Sequence, residues 1–401
     1  MDFTKAQQAA IDARNRDVLV SAAAGSGKTA VLVERVVSLL KEGKRIDRML
    51  IVTFTRAAAG EMRERIAARL EEEEQDAHLR RQLMLLPRAA ISTLHVFCSG
   101  LLREHFEAVG IDPMCRIADE DKLDALHRRA LDQVMEKMYA QPDADQKALA
   151  EQFEDAQIEE MLGRTEKFLL AQADPVGWAE AQSREENHGV DKWMALLQML
   201  CRAHLAGAEE RMADMERMTL LPGFPERYVK TVEMDGQLMQ ELLTAAQEGR
   251  LTGDETGFQR LSSKKASPDE DPALAQQYKE TREEWKGCIK AARELLPADT
   301  EKAGQDVMHT LPALRALFAM TREVMDAYFQ MKQKRNYLDY GDLEHLAMKA
   351  LRDERVRQDV ASRYDAIFVD EYQDVSGIQE AILSALHEGQ NNMMFMVGDV
   401  K

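Results

Sequence analysis

A run of small residues that ends in a lysine and a threonine is the first feature of the sequence that could do chemistry. It lies between a β-branched segment and an amphipathic one, and it reads Ala22, Ala23, Ala24, Gly25, Ser26, Gly27, Lys28 and Thr29. In such a loop, backbone N–H groups and the positive end of the next helix bind phosphate oxygens. The lysine would reach the terminal phosphates, and the threonine hydroxyl would ligate Mg²⁺. The loop therefore predicts a site for ATP or GTP with Mg²⁺.

One position of this loop departs from the usual GxxxxGK[ST] pattern. Ala22 stands where the first glycine would be, so the backbone there cannot require a positive φ. The alternative interpretation is an ordinary glycine turn that opens a helix. The strand-like segment before the loop and the helical pattern after it favour the phosphate site.

Two adjacent carboxylates follow an apolar run near the end of the sequence. Ile367–Val369 precede Asp370 and Glu371. In a phosphate-loop sheet the first carboxylate holds Mg²⁺, and the second orients or deprotonates the attacking water. An acidic protein also contains such pairs by chance in solvated loops, but the apolar run and the upstream phosphate loop favour the functional interpretation.

A parallel sheet would bring these two groups of residues together. From Phe3 to about Arg103, β-branched runs alternate with amphipathic helical patterns, as in βαβ units. A strand-like residue pattern returns only near the end of the sequence, so the predicted α/β domain is split into two pieces. Strands are predicted at 17–21, 49–53, 89–92, 366–369 and 393–397, and helices at 28–40, 56–70 and 94–106.

The middle of the sequence predicts an all-helical insertion. It is rich in Ala, Leu, Met, Gln and Glu at helical period. We therefore divide the chain into a first α/β part (1–110), a helical insertion (111–334) and a second α/β part (335–401). Thr252–Pro272 is predicted to be a loop, and the basic run at 332–335 is either a phosphate contact or a charged helix end. The tryptophans predicted to pack between helices are Trp178, Trp193 and Trp285.

Composition excludes several classes of protein. The chain has 401 residues, 53 Lys+Arg against 71 Asp+Glu, a net charge of −18 and 45% hydrophobic residues, which is typical of globular domains. No apolar run approaches the ~18 residues of a membrane span. The four cysteines are widely spaced, which predicts reduced thiols in a cytosolic protein. The acidic balance disfavours non-specific coating of nucleic acid, although it leaves a local cationic groove possible.

The short motifs of the sequence resemble, in order, those of superfamily 1 DNA helicases of the UvrD/Rep type. The most specific is the Asp-Glu-Tyr-Gln-Asp string at 370–374, which is similar to motif II. Thr53–Met62 is similar to motif Ia, and Ser92–Cys98 resembles the next DNA-facing motif. The other similar strings are Phe3–Gln7 (the Q motif), Leu338–Leu343 (the return to the motor domain) and Gly398–Lys401 (the start of motif III).

The resemblance implies a fold and a set of nucleotide-binding residues. The fold is a RecA-like P-loop NTPase sheet, parallel and with helices on both faces, which the large all-α insertion interrupts. Gln7 would read the adenine edge, while Thr29 and Asp370 would hold Mg²⁺. The implied cofactors are ATP and Mg²⁺, and the implied catalytic residues are Lys28, Glu371 and Gln373.

A second set of residues would face DNA. Thr53 to Arg56 follow a predicted strand at the mouth of the sheet, where loops bind ligands. An exposed Phe54 would stack on a base, and Thr55 and Arg56 would bond phosphates of single-stranded DNA. The alternative places Phe54 in the core and Arg56 on the surface. His95 and Phe97 either contact DNA or pack at a strand end. The predicted DNA-facing residues are Thr53, Phe54, Thr55, Arg56, His95 and Phe97.

Within this family, the phosphate loop, the Thr53–Met62 string and the segment from Ile111 to Glu120 are most similar to the A subunits of AddAB-type helicase–nucleases. This resemblance implies a bacterial, cytoplasmic and nucleoid-associated 3′→5′ DNA motor. It would act on single-stranded DNA and duplex ends in double-strand break repair by homologous recombination. Its partner would be an AddB-like nuclease/helicase subunit in a heterodimer, with no membrane involved.

The resemblance also implies a second RecA-like lobe that supplies arginines to the bound ATP. We therefore expect the 401 residues to be an amino-terminal fragment, truncated within motif III, that binds ATP and barely hydrolyses it. The competing interpretation is a nucleotide-dependent binding or scaffold protein without motor activity. Binding of single-stranded DNA with a steep salt dependence would distinguish the two.

Overall fold

The computed structural model of the protein describes residues 3–23, 25–72, 76–184, 186, 190–248, 257–296, 300–387 and 392–399. The chain divides into two compact units, Met1–Glu180 with Ala316–Lys401, and Ala181–Arg315. The first unit contains the predicted phosphate loop, the paired carboxylates and the predicted DNA-facing residues.

Seven strands form two parallel sheets in the described residues. They are β1 (Val18–Ser21), β2 (Met49–Thr53), β3 (Ala90–Thr93), β4 (Arg116–Ile117), β5 (Tyr337–Leu338), β6 (Ala366–Val369) and β7 (Met393–Gly398). The larger sheet has the order β1-β7-β6-β2-β3, and β4 pairs with β5. Leu50 pairs with Ala90 on one side and with Ile367 on the other. The two pieces of the α/β domain therefore meet in the middle of one sheet.

The described residues also contain seventeen α-helices. The first six are α1 (Lys5–Asp12), α2 (Lys28–Lys41), α3 (Arg56–Glu71), α4 (Ala77–Leu85), α5 (Leu94–Glu104) and α6 (Phe106–Val109). The next eight are α7 (Glu120–Ala140), α8 (Ala144–Gln152), α9 (Asp155–Leu170), α10 (Pro175–Gln182), α11 (Val190–Thr219), α12 (Glu226–Gln247), α13 (Pro272–Glu294) and α14 (Thr300–Gln333). The last three are α15 (Tyr340–Leu351), α16 (Glu354–Ala361) and α17 (Gly377–His387).

Helices cover both faces of the large sheet. Leu50 and Ile367 point to the core shared with α5, α15, α16 and α17. Their neighbours Ile51 and Phe368 point to the core shared with α1, α2, α3 and α4. Strands buried on both faces read as continuous apolar runs, which is why the sequence revealed them. The predicted α/β sheet with helices on both faces and a helical insertion is confirmed.

The predicted helix at 94–106 is wrong in one respect, because it is broken. α5 ends at Glu104, and the short α6 starts at Phe106 after His105. α6 ends at Val109 and is capped by Gly110, whose φ of 72° is left-handed, a conformation that glycine adopts without strain. This turn leads the chain toward β4.

The helical segment leaves and rejoins the sheet through one small strand pair. In the pairing of β4 with β5, Arg116 lies opposite Tyr337. Along the chain, helices α7 to α14 come between these two strands. The boundaries of the two compact units nevertheless differ from the boundaries of the three predicted segments. The first unit retains α7, α8 and α9 and most of α10, and the second spans Ala181–Arg315.

The three tryptophans have different environments. Trp285 is fully buried in the core of the second unit. Trp178 packs edge-on against Phe168 and Phe318, with ring centroids 4.8 and 5.8 Å apart. Trp193 is 41% exposed on α11, so its predicted place in a helix-packing core is wrong.

The predicted loop at 252–272 is described from residue 257. Residues 257–271 contain no helix or strand, and α13 begins at Pro272. Residues 252–256 of that prediction lie outside the described residues. Among the residues that are described, no helix is both long enough and apolar enough to cross a membrane.

Candidate nucleotide and DNA sites

The predicted phosphate loop joins the end of β1 to the start of α2. Gly25 and Gly27 adopt left-handed φ angles of 76° and 81°, which side chains with a Cβ rarely take. Ala22 has no such angle, and its N–H donates to the carbonyl of Gly398 at 3.2 Å. An alanine is therefore tolerated where the common pattern has glycine. Ala24 lies outside the described residues.

Lys28 is folded back into the loop. Its Nζ donates to the carbonyl oxygens of Ala22 and Ala23 at 3.0 and 3.1 Å and pairs with the carboxylate of Asp399. These acceptors lie around the position where the loop would receive phosphates. An anionic ligand would compete with Asp399 for the lysine.

The paired carboxylates lie at the carboxyl end of β6. The backbone N–H of Asp370 donates to the carbonyl of Val52 at 2.9 Å, which places the pair beside the end of β2. Burial raises the pKa of the Asp370 carboxyl, and the charge of Glu371 raises it further. Glu371 itself has a φ of 56°, an uncommon conformation that tends to occur at functional sites.

Gln373 joins the paired carboxylates to the end of β7. Its Nε2 donates to Oε2 of Glu371 at 2.6 Å, and its Oε1 accepts from the backbone N–H of Asp399 at 2.8 Å. A Cβ on Gly398 would come within 2.8 Å of Oε1 of Gln373, so this approach requires glycine. Since Asp399 also pairs with Lys28, the phosphate loop, the paired carboxylates and the end of β7 form one connected network.

Gln7, on α1, hydrogen-bonds to the phosphate loop. It completes a capping box with Thr4, whose N–H donates to Oε1 of Gln7 at 2.8 Å. Nε2 of Gln7 donates to the carbonyl of Ser26 at 3.0 Å. Both ends of the amide are therefore engaged, and contact with an adenine edge stays a prediction.

The residues after β2 have different degrees of exposure. Phe54 is 65% exposed and Arg56 is also exposed. The Thr55 hydroxyl accepts from the N–H of Ala58 at 3.0 Å and caps α3. Thr53 is only 2% exposed, and its hydroxyl donates to the carbonyl of Thr55. Thr53 therefore shapes the turn and cannot reach DNA directly, which corrects its predicted DNA contact.

An open pocket of about 470 Å³ lies next to this turn. Arg56, Arg103 and Arg116 line it, together with His95 and Tyr340. Tyr340 is 51% exposed, and the centroid of its ring lies 4.8 Å from that of His95. We call this feature the arginine pocket. It combines positive charge with aromatic faces, as sites for single-stranded nucleic acid do.

Phe97 does not line the arginine pocket. It is half-buried, packs against the α5, α15, α16 and α17 core, and its centroid lies 6.2 Å from that of Tyr364. The structure therefore favours the strand-end packing alternative for Phe97. Sequence reasoning missed Arg103, Arg116 and Tyr340. Tyr340 and Arg116 carried a signal, because they belong to the Leu338–Leu343 and Ile111–Glu120 strings, and Arg103 carried none.

Comparison with known proteins supplies the family. The chain matches the UvrD/REP helicase N-terminal domain over residues 3–401. The chain belongs to the UvrD/REP helicase family. It is also 36% identical, over 417 residues, to the A subunit of the ATP-dependent helicase/nuclease of Syntrophomonas wolfei, an alignment covering 100% of this chain and 33% of that protein. The corresponding A subunits of Alkaliphilus metalliredigens and Clostridium perfringens (strain 13) are 36% and 33% identical, with all of this chain and 35% and 34% of their lengths covered.

The chain thus spans about a third of the length of the curated relatives that it matches. The resemblance to UvrD/Rep-type helicases and to helicase–nuclease A subunits is confirmed. The motif residues of this helicase domain lie in one compact unit. The roles of the individual site residues remain predictions from their geometry.

The helicase domain holds Lys332 in a buried cluster where α14 returns to the sheet. Lys332 is 2% exposed, pairs with Asp339, and lies 2.7 Å from Oδ2 of Asp342. Burial, and then the charge of Asp339, raise the pKa of Asp342 to about 6. Burial opposes ionisation of Asp339, but Lys332 keeps the pKa of Asp339 below its ordinary value. Lys332 lies in the last turn of α14, as the charged-helix-end interpretation has it, and its burial and its two carboxylate partners disfavour the phosphate contact.

Proposed function

We propose that this chain is the ATP-binding motor portion of a 3′→5′ DNA helicase or translocase subunit. The complete protein would belong to a helicase–nuclease that acts in double-strand break repair by homologous recombination. The observation that carries the proposal is the network from Lys28 through Asp399 and Gln373 to Glu371. It gives a phosphate loop the carboxylates that nucleotide hydrolysis requires.

The residues at the end of the sheet fit ATP with Mg²⁺. Lys28 would exchange Asp399 for phosphate oxygens, and Thr29 and Asp370 would hold Mg²⁺. The raised pKa of Asp370 indicates two close carboxylates in a partly buried place, where a cation would stabilise the ionised form. Among the described residues no group of three or more acidic, histidine or cysteine side chains could hold a metal. Mg²⁺ does not need one, because it is usually held by one or two carboxylates with water and phosphate.

Glu371 is the group that would accept a proton from the attacking water. The hydrogen bond from Nε2 of Gln373, at 2.6 Å, holds its carboxylate in place. Gln373 is therefore proposed as a positioning residue that acts through Glu371. The bound Mg²⁺ would supply charge neutralisation of the phosphates.

The arginine pocket is the proposed contact surface for single-stranded DNA. The guanidinium groups of Arg56, Arg103 and Arg116 would bind phosphates, and the exposed rings of Phe54 and Tyr340 would stack on bases. An AddB-like nuclease/helicase subunit is the proposed partner, and the nucleoid-associated cytoplasm the proposed location. The partner proposal rests on the subunit name that the relatives share, and the location is the one that the resemblance to these A subunits implies.

The test is hydrolysis of Mg-ATP by the complete protein, with and without single-stranded DNA. We expect DNA to stimulate turnover and Lys28→Ala to abolish both ATP binding and turnover. Lys147→Ala, on an exposed part of α8, is the matched control and should behave as wild type. ATP binding without any effect of DNA would instead support a nucleotide-dependent scaffold protein.

A further inference from the structure

Glu344 is a buried carboxylate that lies one residue beyond the Leu338–Leu343 string. It is 7% exposed on α15. Its Oε1 accepts a hydrogen bond from Nε2 of Gln379 at 2.7 Å and lies 3.1 Å from Nε2 of His95. Burial of a carboxylate is costly unless polar partners satisfy it. One oxygen of Glu344 therefore connects two side chains from different helices, α5 and α17.

The first partner belongs to the arginine pocket. His95 lines this pocket, and its ring lies beside the exposed ring of Tyr340. His95 is the second residue of α5, the helix that follows β3, so it lies near the carboxyl end of the sheet. Nε2 of His95 contacts the buried carboxylate of Glu344, while 36% of the His95 side chain is exposed.

The second partner continues toward the paired carboxylates. Oε1 of Gln379 accepts from the N–H of Ser376 at 3.3 Å, and the Ser376 hydroxyl accepts from the N–H of Gln379 at 3.4 Å. Ser376 lies two residues after Asp374, the last residue of the motif II string. Both ends of the Gln379 amide are thus engaged, one with Glu344 and one with the loop that carries Glu371.

The start of α17 is also held by its surroundings. The N–H of Ile378 donates to the carbonyl of Ala171 at 3.0 Å, and a Cβ on Gly377 would meet that same oxygen at 2.9 Å. Because this contact restrains the start of α17, the helix start cannot shift freely with the motif II loop. A movement of that loop would therefore change the position of the Gln379 side chain and its hydrogen bond to Glu344.

We propose that Glu344 is a positioning residue that couples the nucleotide site to the arginine pocket through Gln379 and His95. The inference rests on the proposed function, since it requires both ATP and single-stranded DNA to bind. A nucleotide that shifts the motif II loop changes the position of Gln379, and Glu344 transmits this change to His95. The affinity for DNA then depends on the nucleotide, and loss of Glu344 or Gln379 removes that dependence.

The experiment measures the Kd of the complete protein for a fluorescein-labelled oligothymidylate, with and without a non-hydrolysable Mg-ATP analogue. The ratio of the two Kd values reports the coupling between the sites, which is typically about 5-fold or more. We expect the ratio in Glu344→Ala and in Gln379→Ala to fall to within about 2-fold of one. Glu136→Ala on the exposed face of α7 and Ser384→Ala on that of α17 should keep the wild-type ratio.

The outcomes separate this inference from the proposed function. Equal changes of both Kd values, with the ratio intact, would mean that Glu344 only supports the fold, and would overturn the inference. A wild-type ratio of one would also overturn it. Failure of the wild-type protein to bind either ligand would contradict the proposed function itself. Thermal unfolding identifies any variant that does not fold, and the half-buried Gln379 gives a second variant that is less disruptive than loss of the buried carboxylate.

Discussion

Lys28 is already paired before a nucleotide arrives, and this pairing should weaken nucleotide binding. Asp399 is the charged partner, and its side chain is 37% exposed, so the pair is worth only ~0.2–1 kcal/mol. Asp399→Asn should therefore lower the Kd for Mg-ATP by about 1.4- to 5-fold. Calorimetric titration of the complete protein measures this change.

The control for this prediction is Asp132→Asn, on an exposed part of α7, which should leave the Kd unchanged. A Kd that rises in Asp399→Asn would contradict the prediction. It would indicate that Asp399 favours the nucleotide-bound state rather than competing with it.

Glu371 provides a second test at the residue scale. Glu371→Gln keeps a side-chain oxygen that can accept from Nε2 of Gln373, but it cannot accept a proton. We expect hydrolysis to fall by about 10²- to 10⁴-fold, while the Kd for Mg-ATP changes little. Single-turnover hydrolysis and nucleotide titration measure the two quantities. Near-normal turnover would exclude Glu371 as the base, and Glu136→Gln is the matched control.

The residues of the nucleotide site were predictable one by one, but their contacts were not. Lys28, Asp370 and Glu371 follow apolar runs and glycine turns that the sequence displays. Asp399 lies 371 residues from Lys28 along the chain, and no local pattern pairs them. Glu344 and Arg103 also lack a local signature, because only the fold brings them to this edge of the sheet.

At the scale of secondary structure, the strands of the large sheet were predicted to within a residue. Predicted strands at 17–21 and 89–92 became Val18–Ser21 and Ala90–Thr93. A parallel strand buried on both faces must be apolar throughout, so its bounds are visible in the sequence. The break between α5 and α6 was missed because it lies at His105, whose φ of −121° and ψ of 31° are not helical, and no change of apolar period marks it.

The start of α15 should make stability depend on pH. Asp342 has a pKa of about 6 in the folded protein, above its ordinary value near 3.8, because of burial and the charge of Asp339. Between about pH 4 and 6 the folded state holds a proton that the unfolded chain has released, so stability falls as pH rises. Asp342→Asn removes this titration. Its Tm should fall less than that of wild type across this interval in thermal unfolding at constant ionic strength.

Asp132→Asn is the control for the pH dependence, since Asp132 is exposed. An Asp342→Asn protein whose Tm follows pH as steeply as wild type would show that another group carries the titration. The asparagine side chain of this variant would still offer an oxygen to the N–H of Asp339, as Asp342 does at 2.9 Å. The cap of α15 is therefore preserved in this comparison.

At the scale of the whole molecule, the boundaries of the two compact units differ from those of the segments predicted from the sequence (1–110, 111–334 and 335–401). α7 and α10 contact the later part of α14, and the carbonyl of Leu170 on α9 lies 2.9 Å from Nε2 of His345 on α15. Lys137 pairs with Glu323 at 2.6 Å, and Trp178 packs on Phe318. Helical period predicts each helix but not which helices pack together. The boundaries at 180 and 316 were therefore not visible in the sequence.

The distribution of charge over the molecule leads to the last prediction. The chain carries a net charge of −18, so DNA should bind only where cations are concentrated, as in the arginine pocket. Three arginines that each neutralise one phosphate predict a slope of log K against log salt of about −2 for single-stranded DNA. Arg56→Ala, Arg103→Ala or Arg116→Ala should each make the slope shallower by about 0.7. Arg128→Ala on exposed α7 should leave it unchanged, and a slope insensitive to all three pocket arginines would place the DNA elsewhere.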